Sequence, residues 1–183
     1  ATLWSLEAEF VAQLLATART LGLPESWMQR IQKANPAARQ VLSITRVVGG
    51  SDAARAFQPG DLLLAVDDAV VTRFRDVERA VAGKSQVNAT VWRVTGEQTV
   101  TVQTAALSGN DVERLISWAG ATLQAPHRAI SAQRGIAPQG VYVAYFAFGS
   151  PATRYGLQPG RRIVEIDGQP TPDLDAFVRM IAG

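Results

Sequence analysis

Apolar and polar positions fall into short runs along most of the chain, and the runs come in pairs. Val41-Leu42-Ser43-Ile44-Thr45-Arg46-Val47-Val48 predicts a strand closed by Gly49, and Val141-Tyr142-Val143-Ala144-Tyr145-Phe146-Ala147-Phe148 predicts another closed by Gly149. Each is followed by small residues that suit a turn and a short helix, 51–57 and 150–157, and then by Pro-Gly, whose Gly can take a positive φ. Apolar alternation next predicts strands over 61–66 and 161–166. A tight turn closes each of these: Asp167-Gly168 is a strong hairpin signal, and Asp68 holds the matching Gly position because Asp enters the left-handed region more readily than most residues. Amphipathic helices come last. Phe74, Val77 and Val81 mark one apolar face, and Leu174, Phe177, Val178 and Ile181 mark the other.

One offset of one hundred residues relates all of these pairs without a gap. Gln58-Pro59-Gly60 recurs as Gln158-Pro159-Gly160, Val41 as Val141, Asp67 as Asp167, Arg79 as Arg179 and Ala82-Gly83 as Ala182-Gly183. A repeat of this length signals two related structural units. The first copy continues through Val87–Val94, a turn at Thr95-Gly96-Glu97 and Gln98–Gln103, which predicts a β-hairpin. The second stops at Gly183, the equivalent of Gly83, so it is expected to lack its last hairpin and to belong to a longer protein.

Ahead of the first repeat the pattern predicts a strand over Ser5–Phe10, a helix over Val11–Leu21 ended by Gly22, and a second helix over Pro24–Ala34 stopped by Pro36. The second copy fills the same role with a strand over Trp118–Gln124 and a short helix near Arg128–Gln133, so the first copy carries an inserted helical segment. That segment could cover the edge strand of its own copy. The boundary falls within 105–110, where Ser108 or Asn110 could cap the next element. The expected organisation is α+β, with units at 1–107 and 108–183, each a small, partly open β-barrel or sandwich capped by helices.

Composition narrows the function classes. With 47% hydrophobic and 19% charged residues the chain is globular in type, and no apolar run approaches the roughly 20 residues that a membrane span needs. The net charge of +2 is spread along the chain without a basic cluster, which argues against a nucleic-acid surface. The absence of Cys excludes disulfides, a thiol nucleophile and thiolate zinc sites, and fits periplasm and cytosol equally. No signal-peptide pattern opens the chain at Ala1.

Candidate chemistry is sparse. A Ser-His-Asp triad needs a histidine base, and the one histidine, His127, lies in Ala125-Pro126-His127-Arg128 with no nucleophile elbow elsewhere, so it reads as an exposed structural residue. Asp67-Asp68 sits where a hairpin turn is expected and offers no metal-ligand spacing, and Gly49-Gly50-Ser51 lacks the Lys of a phosphate loop. No cofactor is implied. Of the four Trp residues, Trp4, Trp27 and Trp92 are expected mainly in cores, and Trp118 is the one to suspect of lining a groove.

A strand ending in Gly, a small helix, Pro-Gly-Asp, a strand, Asp-Gly and an amphipathic helix together resemble the PDZ domains of HtrA (DegP)-type serine proteases. The carriers are Phe57–Asp68 and Gly156–Gly168, and the match runs through both copies. Leu6-Glu7-Ala8-Glu9-Phe10, Ala18-Arg19-Thr20-Leu21-Gly22-Leu23, Gly120-Ala121-Thr122-Leu123 and Thr171-Pro172-Asp173-Leu174-Asp175-Ala176-Phe177 resemble the larger members with several PDZ domains, such as the yeast nuclear one.

The resemblance implies a role in peptide binding. An extended peptide adds as a strand beside a helix, backbone pairing giving affinity and pockets giving specificity. It implies receiving edges at Leu3, Trp4, Ser5, Leu6 and Glu7 and at Trp118, Ala119, Gly120, Ala121 and Thr122. The opposing walls would be Val77, Ala80 and Val81, and Phe177, Met180 and Ile181; the alternative for each wall residue is plain core packing. Gly120 suits an amide nest that captures a C-terminal carboxylate, whereas Leu3-Trp4-Ser5 offers no Gly. The implied partners are peptides or unfolded segments, a protease domain of the same chain and a homo-oligomer, in the periplasm or, less in keeping with the family, the cytoplasm. A non-proteolytic scaffold, or a first copy serving as a spacer, remain the alternatives.

Overall fold

In the computed structural model, which describes residues 2–107 and 112–182, the chain divides into two units, residues 1–109 with 132–136 and residues 110–131 with 137–183. The candidate helix cap at Ser108 or Asn110 lies outside the described residues.

Unit 1 runs β1 (Leu3–Ser5), β2 (Ala8–Leu14), α1 (Leu15–Thr20), α2 (Glu25–Ala34), β3 (Gln40–Val47), α3 (Ala53–Ala56), β4 (Leu62–Val66), β5 (Ala69–Val70), α4 (Phe74–Val81), β6 (Gln86–Arg93), β7 (Gly96–Gln103) and β8 (Ala105–Leu107). An antiparallel sheet has the order β2-β3-β4-β6-β7, with β5 on β4, and β1 pairs separately with β8. The order follows from which strands are apolar on both faces. Every residue of β4 is buried, and its side chains are shared between two cores, the alternation shifting at a register break between Leu63 and Ala65. Leu63 and Val66 pack with Ile44, Phe57, Val77, Val81 and Val91. Leu62 and Leu64 face the other way and pack with Leu15, Trp27, Met28 and Ile31 of the helical segment. Fully burying a large apolar side chain contributes roughly 1.5–3 kcal/mol, so α1 and α2 are held by this second core.

Two expectations change here. The helical segment covers the second face of the sheet through that core, not the β2 edge. Val11–Leu14 belong to β2 instead of a helix, and α1 begins only at Leu15. Ala8, Phe10, Ala12 and Leu14 alternate with Glu9, Val11 and Gln13, a period of two that suits a strand. Pairing with β3 from Ala8↔Val47 to Leu14↔Gln40 then fixes it. The strand expected over Ser5–Phe10 is also broken: Glu7 has φ 55° and separates β1 from β2.

The Pro-Gly-Asp turn is anchored by charge. Asp61, 3% exposed, accepts the Gln58 N–H at 2.9 Å and both Nε (2.8 Å) and Nη2 (2.9 Å) of Arg93 at the end of β6. The same guanidinium donates to the Ala56 carbonyl and to Gln98 Oε1, leaving no donor face idle in this half-buried site.

Unit 2 runs β9 (Leu115–Trp118), β10 (Ala121–Gln124), the first part, 128–131, of α5 (Arg128–Arg134), β11 (Val141–Phe146), α6 (Pro151–Arg154), β12 (Arg162–Ile163), β13 (Glu165–Ile166), β14 (Gln169–Pro170) and α7 (Leu174–Ile181). Its sheet has the order β12-β11-β10-β9, with β13-β14 as a separate ladder. Leu123, Val141, Val143, Leu174 and Phe177 form its core. Asp173 starts α7 by accepting the Ala176 N–H at 2.7 Å. The elements after β3 and β11 recur at the hundred-residue offset, down to β5 and β14 and the helices α4 and α7.

The strand expected over 161–166 is interrupted at Val164, which is exposed. In unit 1 the matching β4 is paired along its second side by β6; among the described residues no strand takes that place in unit 2. Both units are α+β with open antiparallel sheets.

Candidate functional site

In unit 1, β2 ends its sheet. One edge pairs with β3, and among the described residues no strand pairs with the other. Beside it lies a cleft of about 380 Å³ between β1, the start of β2 and α4. Leu3, Trp4, Ser5, Leu6, Val77 and Val81, all expected from the sequence, line it. Ala80 is not among the lining residues; it packs on the core. Leu6, Val77 and Val81 both line the cleft and belong to the buried core.

The residues expected as a receiving edge, Leu3–Glu7, do not form one strand. Leu3, Trp4 and Ser5 form β1, whose backbone is engaged by Leu107, Ala106 and Ala105 of β8. The open edge that borders the cleft is that of β2, and Ala8 and Phe10 of that strand line the cleft together with Phe74 and Glu78 of α4. Sequence reasoning placed Ala8 and Phe10 in a strand but left them out of the site because the resemblance set the receiving edge at Leu3–Glu7. It passed over Phe74 although that residue opens the apolar face of α4.

The turn from β1 to β2 is fixed by Ser5, whose Oγ accepts the Glu7 N–H at 2.9 Å. The facing helix is fixed by Asp76, whose Oδ2 accepts the N–H groups of Thr72 and Arg73, both at 3.1 Å, and the Thr72 hydroxyl at 3.2 Å. Burial works to raise the Asp76 pKa, but the hydrogen bonds from Thr72 and Arg73 outweigh it and the carboxyl stays below its usual range.

In unit 2 the residues 118–122 do not form one edge. Trp118 ends β9, Ala119 and Gly120 make a two-residue turn with φ of 52° and 83°, and Ala121 and Thr122 begin β10. Two successive positive φ values are those of a type I′ hairpin. A Cβ at Gly120 would lie 2.3 Å from the Ser150 Cβ, so this position admits only Gly. Phe177 is 1% exposed and belongs to the core, with the Trp118 ring set edge-on to it at 5.5 Å. Ile181 packs on the same core, and Met180 Sδ lies 3.4 Å from Thr171 Oγ1.

His127, expected to be exposed, is half-buried and edge-on to the Tyr142 ring at 6.4 Å. Trp27 is buried, with its Nε1 donating to Glu97 at 2.6 Å, and Trp4 and Trp92 are half-buried. Among the described residues no group of three His, Asp or Glu side chains could hold a metal, and no helix is long and apolar enough to cross a membrane.

Residues 111–183 match the PDZ-like domain family. Along nearly its whole length the chain is similar to HtrA-type proteases. It is 40% identical over 182 residues to Protease Do-like 7 of Arabidopsis thaliana, an alignment covering 94% of this chain and 16% of that protein. It is 32% identical over 181 residues to the pro-apoptotic serine protease nma111 of Aspergillus oryzae, covering 97% of this chain and 18% of that one. The chain thus spans about a sixth of the length of these relatives. Among solved structures it resembles the HtrA-type protease AlgW with decapeptide, at a TM-score of 0.43 and 21% identity, over 58% of this chain and 30% of that one. The relatives come from a plant and from fungi, which overturns the expectation of a periplasmic location.

Proposed function

We propose that this chain is the substrate-recognising region of an HtrA-type serine protease, and that unit 1 takes an extended polypeptide segment as an added strand on β2. The observation that carries the reading is the outer edge of β2 beside the apolar cleft that α4 walls. An edge strand offers N–H and C=O groups to an incoming backbone, and alternate side chains of that segment would enter the cleft between Phe10, Phe74 and Val77. The chain's one histidine faces the Tyr142 ring, and we assign the chain recognition, not bond cleavage. The bound segment is internal to its protein: Ser5 Oγ already holds the Glu7 N–H, one of the amides that a C-terminal carboxylate would need.

Titration of the chain with apolar decapeptides, followed by fluorescence of Trp4 in the cleft wall, tests this. Free and amidated C-termini should bind alike, and Phe74→Glu, at an exposed position, should weaken binding at least about tenfold by placing a charge in the cleft. N-methylation at alternate residues should abolish binding in one phase and spare it in the other, because a strand pairs through every second N–H. Equal loss in both phases, or binding indifferent to Phe74→Glu, would count against strand addition at β2.

A further inference from the structure

The corresponding edge in unit 2 is filled from within its own chain. β10 pairs with β11 on one side and with β9 on the other, Ala121 facing Trp118, Thr122 facing Ser117, Leu123 facing Ile116 and Gln124 facing Leu115. In unit 1 the segment in the same place before its edge strand is β1, and it pairs with β8, leaving β2 open. The equivalent piece of the repeat therefore occupies two different positions.

β9 lies as an incoming strand would. It runs antiparallel to β10, sets the Trp118 ring edge-on to Phe177 of α7, and packs Ile116 on the unit 2 core. We propose that β9 is a displaceable occupant that closes the second groove to peptides, a proposal that rests on reading these units as strand-adding sites. Its grip is small: it is four residues long, Leu115 and Trp118 are 59% and 39% exposed, and it is held to the core by Ile116 and the Trp118–Phe177 ring contact, with an exposed Arg114–Asp175 ion pair just ahead of it. The turn that holds it is strained, since Ala119 carries a Cβ at φ 52°. What favours closure is tethering. A strand joined by a two-residue turn competes at an effective concentration of roughly millimolar or above, and a free peptide binds only in the fraction of time that the edge is open.

Ser117 and Thr122 face each other one pair away from the turn, a non-hydrogen-bonded site whose close Cα approach suits a disulfide. The chain has no other cysteine to interfere. The test is the full 183-residue chain carrying Ser117→Cys and Thr122→Cys, with Phe74→Glu to silence unit 1. It is titrated with fluorescein-labelled Glu-Arg-Leu-Ile-Ser-Trp, the sequence of 113–118, in oxidised and reduced forms. The reduced form should bind at least about tenfold more tightly than the locked one, with amide exchange rising at 115–118 while Leu123 stays protected. Ala119→Gly, which relieves the turn, should weaken binding without any disulfide.

Equal affinity in the two redox states overturns the proposal. So does failure of both states to bind while the chain with unit 1 intact still binds decapeptides, an outcome that spares the reading of unit 1. Absence of peptide binding at either unit would remove that reading, and this inference with it.

Discussion

At Asp61 a single carboxylate joins the Pro-Gly turn to the far end of the β6–β7 hairpin. Arg93, 15% exposed in its side chain, pairs otherwise with neutral oxygens, Gln98 Oε1 and the Ala56 carbonyl. Asp61→Ala should therefore cost about 3–5 kcal/mol in urea unfolding, because the charge left behind is poorly hydrated and unpaired. A loss under about 1 kcal/mol would show that water reaches Arg93 freely and that the pair acts as a surface one. Unit 2 carries exposed Arg161 at the matching position and so holds its Pro-Gly turn without this clamp. The divergence is visible in the sequence as Asp61 against Arg161; its partner Arg93 was not, because nothing in local spacing relates residues so far apart.

Helix α4 matters as a wall only if its first turn is held, and Asp76 holds it by accepting the backbone N–H groups of Thr72 and Arg73. Asp76→Ala should lower stability by about 1–2 kcal/mol and weaken decapeptide binding to unit 1 in the same titration, with Asp76→Asn falling between. Unchanged binding in a destabilised variant would separate the helix start from the groove. The helices α4 and α7 were legible because a 3.6-residue apolar period and the hundred-residue offset both marked them. β2 was less so: Val11-Ala12-Gln13-Leu14-Leu15 leads into a real helix, and propensity alone does not show that pairing with β3 keeps the first four of these extended. The β9–β10 hairpin was illegible for a related reason. Trp118–Gln124 reads as one apolar run, and only positive φ at Ala119 and Gly120 divides it.

Across the molecule, three carboxylates among the described residues are held below their usual pKa range, and all lie in unit 1. Asp52 is lowered by the Gln103 N–H and then by Arg55, Asp67 by the Asn88 N–H and then by Lys84, and Asp76, against the effect of burial, by Thr72 and Arg73. A group whose folded pKa is depressed stabilises the fold above its unfolded value and loses that contribution as pH falls through the folded one. Urea midpoints followed by the buried Trp27 should therefore be level near neutrality and decline below about pH 4. Replacing all three with Asn should lower the midpoint at neutral pH and flatten the decline; an unchanged acid slope would place the titrating groups elsewhere. The five consecutive buried residues of β4 carry a different implication, for how this region can be dissected. The sheet of unit 1 has no solvated face at β4, so a version trimmed of residues 15–34 to match the plainer second repeat would present Val41, Leu62 and Leu64 as a bare apolar strip. Such strips drive molecules to associate, and the helical insert thus serves as the unit's solubilising skin, setting the shortest piece of this repeat that can be handled alone.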